Sequence, residues 1–160
     1  MKKGEKRNGF TIIEVSLVLA IAGLIFLMVF IALPQLQRSQ RDSRRRDDIL
    51  AFLESVKDYQ TNNRGALPTN WQKDFFNSYD GDISKVDPDG TEYILVTRKC
   101  EKENGGDNCK GSNTLQSMDH KLYVFTQATC DGENAIPTSN PRKVAVRYRL
   151  EGAGTYCANT

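Results

Sequence analysis

The stretch Gly9-Phe10-Thr11-Ile12-Ile13-Glu14, followed by the nineteen-residue run Val15 to Leu33, decides how this chain is to be read. Nothing in that run is more polar than Ser16. At a helical rise of ~1.5 Å per residue it covers ~28 Å, close to the ~30 Å hydrocarbon core of a bilayer. A membrane-spanning helix is therefore predicted from length and composition. Glu14 stands at the very start of it. An ionisable group at the edge of such a segment is costly unless it finds a partner, so by default it marks function.

A short basic leader, Met1 to Gly9, precedes the run, and three kinds of N-terminus compete to explain it. A secretory signal has a shorter apolar core and small residues before its cleavage site, whereas this run leads into Pro34-Gln35-Leu36-Gln37. A plain single-pass anchor accounts for the length but gives no role to Glu14 or to Gly9-Phe10. The third reading uses all of these residues. The Gly9-Phe10-Thr11 junction, a glutamate five residues into what would follow a cut after Gly9, and Ala20-Ile21-Ala22-Gly23-Leu24 together resemble the N-terminus of a type IV prepilin.

That resemblance implies a peptidase in the membrane that cuts after Gly9 on the cytoplasmic side and N-methylates the new terminus, Phe10. It further implies a homo-oligomeric helical filament, raised from the cytoplasmic membrane by an assembly platform and an ATPase. The subunit would wait in the membrane with its N-terminus inside, then pass into an extracellular fibre. Cleavage would leave an amine on Phe10 one helical turn from Glu14. In a bundle of such helices, a neighbour's amine facing Glu14 would check the register of assembly. The family's proline falls eight residues after the glycine equivalent to Gly23; here Pro34 falls eleven after it. Gly23 and Pro34 both weaken the helical hydrogen-bond ladder and bracket the segment most able to lose helicity during extraction.

Charge adds little to this. The formal net charge is +2, but the leader holds four of the 22 basic residues and one of the 20 acidic ones, so the remainder is near neutral. Net charge makes no case for nucleic acid. The four cysteines, Cys100, Cys109, Cys130 and Cys157, all lie in the C-terminal region, and their even number points to disulfides in an oxidising compartment. Zinc is disfavoured, because there is no Cys-x-x-Cys spacing and His120 is the sole histidine. Of three pairings, Cys100–Cys109 and Cys130–Cys157 are favoured because each closes a local loop, worth about 3 and about 3.5 kcal/mol by loop entropy.

Beyond Pro34 the helical pattern continues. Residues 37–48 are almost wholly polar, and Arg38/Asp42, Arg44/Asp48 and Asp42/Arg46 have the spacing of i,i+4 pairs, which reads as a solvated face or a contact between subunits. Ile49, Phe52, Leu53, Val56 and Tyr59 then form one helical stripe, and Asn63, Gly65 and Pro68 close the helix. Asn70 is placed to cap a short helix carrying Trp71, Phe75, Phe76 and Tyr79. Asp87-Pro88-Asp89-Gly90 is a turn signal. Strands are expected over Glu92 to Lys99, Lys121 to Ala128 and Arg142 to Leu150, with loops over 101–120 and 131–141.

The expected fold is therefore α+β: a long N-terminal helix, apolar in its membrane or fibre-core half, whose amphipathic half packs on a small antiparallel sheet, a lollipop like that of type IV pilins. Four segments follow: leader 1–9, transmembrane helix 10–33, exposed helix 34–65 and a β-rich head 66–160 stapled by disulfides.

Few other sites are suggested. Asp80-Gly81-Asp82 and Asp87-Pro88-Asp89-Gly90 lack the loop length and terminal glutamate of a calcium site, and no metal or other cofactor is expected. Lys143, Arg147 and Arg149 form a basic strand face that could meet an anionic ligand such as DNA or a cell surface; a solvated edge strand explains them with no ligand and is the favoured reading. With one histidine, no phosphate loop and no Gly-x-Ser-x-Gly, no catalytic residues are assigned and an enzyme is not expected. Rival functions are a type II secretion pseudopilin, a minor pilin binding DNA or a surface at the tip, and a binding module on a plain anchor, which predicts no cut at Gly9.

Overall fold

In the computed structural model, residues 9–77, 85–100, 102–103, 106–107, 109, 120–152 and 154–160 are described. The leader residues 1–8, Tyr79 and Asp80-Gly81-Asp82 lie outside them. Helix α1 spans Ile12–Asn62 and includes Pro34. The chain divides into two compact units, Met1–Gln37 and Arg38–Thr160.

In the first unit, α1 is long and apolar enough to span a membrane. Its most apolar 18-residue window has a mean hydropathy of 2.9, and none of that window is buried. Gly23 and Pro34 leave the helix unbroken, so a break at either is not a property of the isolated chain. A proline removes one donor from the ladder, and the surrounding turns hold the helix through it.

The second unit is the head, built where the amphipathic stripe predicted. Helix α1 ends at Asn62 because the chain turns left-handed at Arg64 and Gly65, with φ of 55° and 83°. The Gly65 amide donates to the Gln60 carbonyl at 2.6 Å, capping the last turn. A short π-helical segment, Trp71–Phe76, follows, with the Asn70 side chain accepting the Lys73 amide at 3.0 Å.

Among the described residues eight strands follow: β1 (Ile94–Lys99), β2 (Lys102–Glu103), β3 (Gly106–Asp107), β4 (Lys121–Thr126), β5 (Ala128–Asp131), β6 (Asn134–Pro137), β7 (Val144–Arg149) and β8 (Thr155–Asn159). The main sheet has the order β1-β4-β7-β8, and β2-β3 and β5-β6 form separate two-stranded pairs. The sheet is mixed rather than wholly antiparallel, because β1 and β4 run parallel, Ile94 opposite Lys121 through Lys99 opposite Thr126. Parallel neighbours need a crossover of about a dozen residues or more, and the 100–120 connection is long enough to supply it. Other expectations change as well: the segment 101–120, expected to be loop, contains the paired strands β2 and β3. The strand expected over Lys121 to Ala128 turns at Gln127, where φ is 56°, and the segment 131–141 contains β6 instead of being loop throughout. Strand β8 was not expected at all.

Both faces of the sheet are covered. Leu122, Val124, Val144, Val146 and Tyr148 meet Ile49, Phe52, Leu53 and Val56 of α1, together with Trp71, Phe75 and Phe76. On the other face Tyr123, Phe125 and Ala145 pack with Ala128 and Ala135 of the β5-β6 hairpin and with Cys100 and Cys109. This explains why β4 reads as a nearly continuous apolar run from Leu122 to Phe125: strands buried on both faces lose the strict alternation of a half-buried sheet.

Candidate functional site

Two groups of residues stand out, one in each unit. In the first, Thr11 and Glu14 form a reciprocal cap on the start of α1. The Thr11 amide donates to Glu14 Oε2 at 2.9 Å, the Thr11 hydroxyl to the same oxygen at 2.7 Å, and the Glu14 amide to Thr11 Oγ1 at 3.3 Å. This is the capping box of Thr-x-x-Glu, in which two otherwise unpaired helix-end donors are satisfied at once. Glu14 is thus not simply an orphan charge. The signal was present in the sequence as a threonine three residues before a glutamate that opens an apolar run. Beyond it, Phe10, Ile12, Ile13 and the large side chains from Val15 to Leu33 are exposed, forming an apolar surface that nothing in the chain covers among the described residues.

The second group is a buried ionic clasp in the head, and most of it escaped sequence reading. Arg45, 2% exposed, lies on the helical face expected to be solvated. Its guanidinium grips Asp87 through two hydrogen bonds, Nε to Oδ2 at 2.8 Å and Nη2 to Oδ1 at 2.6 Å. It also reaches Asp42 at 3.0 Å and Glu151 at 2.7 Å, and lies 5.8 Å from the centre of the Tyr148 ring. Asp87 is further held by the Tyr148 hydroxyl at 2.6 Å and the Asp89 amide at 3.0 Å. Asp42 accepts the backbone amides of Glu151 and Gly152 at 2.9 and 2.8 Å, so it serves the loop after β7 instead of pairing along the helix with Arg38 or Arg46. Arg41 binds Glu151 at 2.9 and 2.6 Å.

The electrostatics follow from this geometry. Burial alone would raise the Asp87 carboxyl, but the bonds from Arg45, Tyr148 and Asp89 outweigh it and hold it below the ordinary value. Hydrogen bonding by Arg41, helped by Arg45, brings Glu151 down to about 2. Burial pushes the Tyr93 and Tyr148 hydroxyls up, and it raises the carboxyl of Asp48, which accepts the Tyr93 hydroxyl at 3.0 Å. The turn Asp87-Pro88-Asp89-Gly90 does form, closed by the Gly90 amide on the Asp87 carbonyl at 2.8 Å with Gly90 at φ 95°. Its first residue is also the anchor of the helix.

Asp87, Asp89 and His120 bring three metal-type ligand atoms within 4.8 Å of one another. Arg45 already occupies the Asp87 carboxylate, and its positive charge opposes a second cation there. His120 Nδ1 lies 2.7 Å from the Thr91 hydroxyl and 3.3 Å from Asp89. The arrangement is that of a closed ion network rather than an open coordination site.

The basic strand face is not assembled as expected. Strand β7 is interior, between β4 and β8, and Arg147 is buried opposite Tyr123 and Cys157. Its Nη2 reaches Thr155 Oγ1 at 3.5 Å while Nε has no partner, and burial lowers its pKa. Lys143 donates to the Thr160 carbonyl. Arg149 instead lines a cleft of about 450 Å³ with Arg38, Asp89, His120, Tyr148, Leu150 and Glu151. Two disulfides join Cys100 to Cys109 and Cys130 to Cys157, with Cα separations of 4.8 and 5.8 Å. The second ties hairpin strand β5 to the edge strand β8. No protein family, curated protein or solved structure matches this chain.

Proposed function

We propose that this chain is the structural subunit of a type IV pilus-like filament, made as a precursor, cut after Gly9 and N-methylated on Phe10. The observation that carries the reading is the uncovered apolar helix beginning at a capped Thr11–Glu14 end directly after the Gly9-Phe10 junction. Such a surface must be covered by lipid or by protein. Residues 12–33 hold the subunit in the cytoplasmic membrane with the leader inside, and the same surface then packs against the helices of neighbouring subunits in the fibre core. Two disulfides in the head suit a head outside the cell. The partners are other copies of the chain, the processing peptidase, and the platform and ATPase that raise the subunit from the membrane.

Glu14 has two successive partners in this scheme. In the precursor its carboxylate closes the helix end with Thr11. After cleavage, the amine of a neighbour's Phe10 competes for it in the low-dielectric fibre core, where a charge left unpaired is strongly unfavourable. Gly23 and Pro34 are the places where the helix gives way during extraction. The chain has a scaffolding role and no catalytic one.

Mass analysis of the mature N-terminus tests the reading directly. A first residue at Phe10 carrying one methyl group is expected; mature protein that retains Met1 overturns it. Recovery as the main component of sheared surface filaments is expected of a major subunit, as opposed to a pseudopilin or a tip protein.

A further inference from the structure

The head holds α1 at two places by two kinds of force. Over Ile49, Phe52, Leu53 and Val56 the hold is apolar, with these side chains buried against β4, β7 and the aromatic residues Trp71, Phe75 and Phe76. Over residues 41–45 the buried side chains are Asp42 and Arg45, and the hold is ionic. The two holds also engage different parts of the head. The apolar one meets the sheet face; the ionic one meets the 87–90 turn and the loop at Glu151 and Gly152.

We propose that the ionic hold is a latch that opens independently, releasing helix residues 38–48 from the head while the apolar hold and the sheet stay intact. Three features carry this. First, Arg45 is the one side chain among the described residues that bonds Asp42, Asp87 and Glu151 together; the other ties, Arg41 to Glu151 and the Glu151 and Gly152 amides to Asp42, reach only the loop after β7. Second, the charged and titratable groups that face it come from several elements: Arg41, Asp42 and Asp48 of α1, Asp87 and Asp89 of the turn, Tyr148 and Arg149 of β7, Glu151 of the following loop, and His120 before β4. Such a network is strong when complete, and removing Arg45 leaves Asp87 buried without a counter-charge. Third, segment 38–48 has no buried apolar side chain to hold it once the charges part. Its helical state then rests on its own backbone hydrogen bonds and the flanking turns of α1, with no packing on the head to protect them.

Aromatic residues mark the boundary between the holds. Tyr148 belongs to the apolar cluster yet donates to Asp87, and Tyr93 belongs to it yet donates to Asp48. Both hydroxyls are tethers that can break while their rings stay packed, edge-to-face at 5.6 Å. The latch is therefore a joint within the head's own stretch of helix, and it operates whatever the chain assembles into.

The test is hydrogen exchange read by mass spectrometry on the full chain in detergent with its disulfides intact, with emission of the sole tryptophan, Trp71, recorded in parallel. Trp71 sits beside Phe52 and Phe75 and so reports on the apolar hold. In Arg45→Met, amides of 38–48 should exchange about ten-fold faster or more while those of 49–62 and Trp71 emission stay as in the wild type. Glu151→Gln should give the same pattern more weakly, and it carries the test if Arg45→Met does not fold. Loss of protection in both segments together would show one cooperative hold and overturn the proposal. Unchanged exchange at 38–48 in a folded variant would overturn it equally.

Discussion

The most exposing perturbation of the head is a double-mutant cycle on its buried ion pair, Arg45→Met and Asp87→Asn. The magnitudes follow from what each change leaves behind. Arg45→Met strands the Asp87 carboxylate, 2% exposed, with only the Tyr148 hydroxyl and the Asp89 amide for partners. Breaking a buried pair in this way costs about 3–5 kcal/mol. Asp87→Asn leaves Arg45 still bonded to Asp42 and Glu151 at 3.0 and 2.7 Å. Its cost is nearer that of one charge-assisted hydrogen bond, about 2 kcal/mol. In the double variant neither charge is stranded by the other, since methionine fills much of the arginine's volume and asparagine keeps the Tyr148 bond. Its cost should fall short of the sum of the singles by about 1.5 kcal/mol or more. Urea unfolding of the detergent-solubilised chain, followed by Trp71 emission, measures all four corners. Additivity within about 0.5 kcal/mol would refute the argument, as would single changes each costing under about 1 kcal/mol, the range of exposed pairs.

Acid should weaken the head in a defined window. Glu151 is depressed from 4.5 to about 2 and Asp87 is lowered as well, so their stabilisation is complete above the ordinary carboxylate range and is lost as pH falls toward 2. Asp48, raised by burial, acts in the opposite sense, and Glu151→Gln should flatten the fall in melting temperature below pH 4.5. Gly65→Ala should destabilise by about 1 kcal/mol or more in the same unfolding assay, because φ is 83° there and a Cβ would meet the Arg142 guanidinium at 2.7 Å. Removing the Cys130–Cys157 bridge by double serine substitution should cost about 3.5 kcal/mol, more than the about 3 for Cys100–Cys109, since the closed loop is longer. Glu14→Ala should leave head stability unchanged and abolish filaments on sheared cells; a normal filament yield would remove Glu14 from assembly.

The parts of this fold that were legible in the sequence are those where one periodicity dominates. The apolar run, the stripe from Ile49 to Tyr59, the stop at Asn63 and Gly65, and the existence of β7 each follow from a local pattern. Strand β8 was illegible because Thr155-Tyr156-Cys157-Ala158-Asn159 carries little alternation and owes its strand state to pairing with β7. The parallel β1-β4 pairing was equally hidden, since pairing direction depends on where the long connection leads and not on either strand's composition. The clasp shows the strongest limit. Arg45 sits in a run that any periodicity measure scores as solvent-facing, and its partners lie 42 residues away at Asp87 and further still at Glu151. The Thr11–Glu14 cap, by contrast, is written in local spacing, a threonine three residues before a glutamate.

The two groups of residues ask different things of a single helix. At its start, a carboxylate satisfied within its own first turn gives up only exposed Thr11 bonds when it changes partners. In the head, the Asp87 carboxylate is buried, and water cannot replace Arg45 there without opening the structure. The anion at the start of α1 is thus exchangeable, whereas Asp87, in the 87–90 turn, is held by the arginine of the helix that packs on it. The same contrast says where sequence change should be tolerated. Polar substitutions on the outward positions Ser43, Asp47 and Glu54 leave both groups untouched, whereas neutralising Arg45 alters the hold on everything from Arg38 to Asp48.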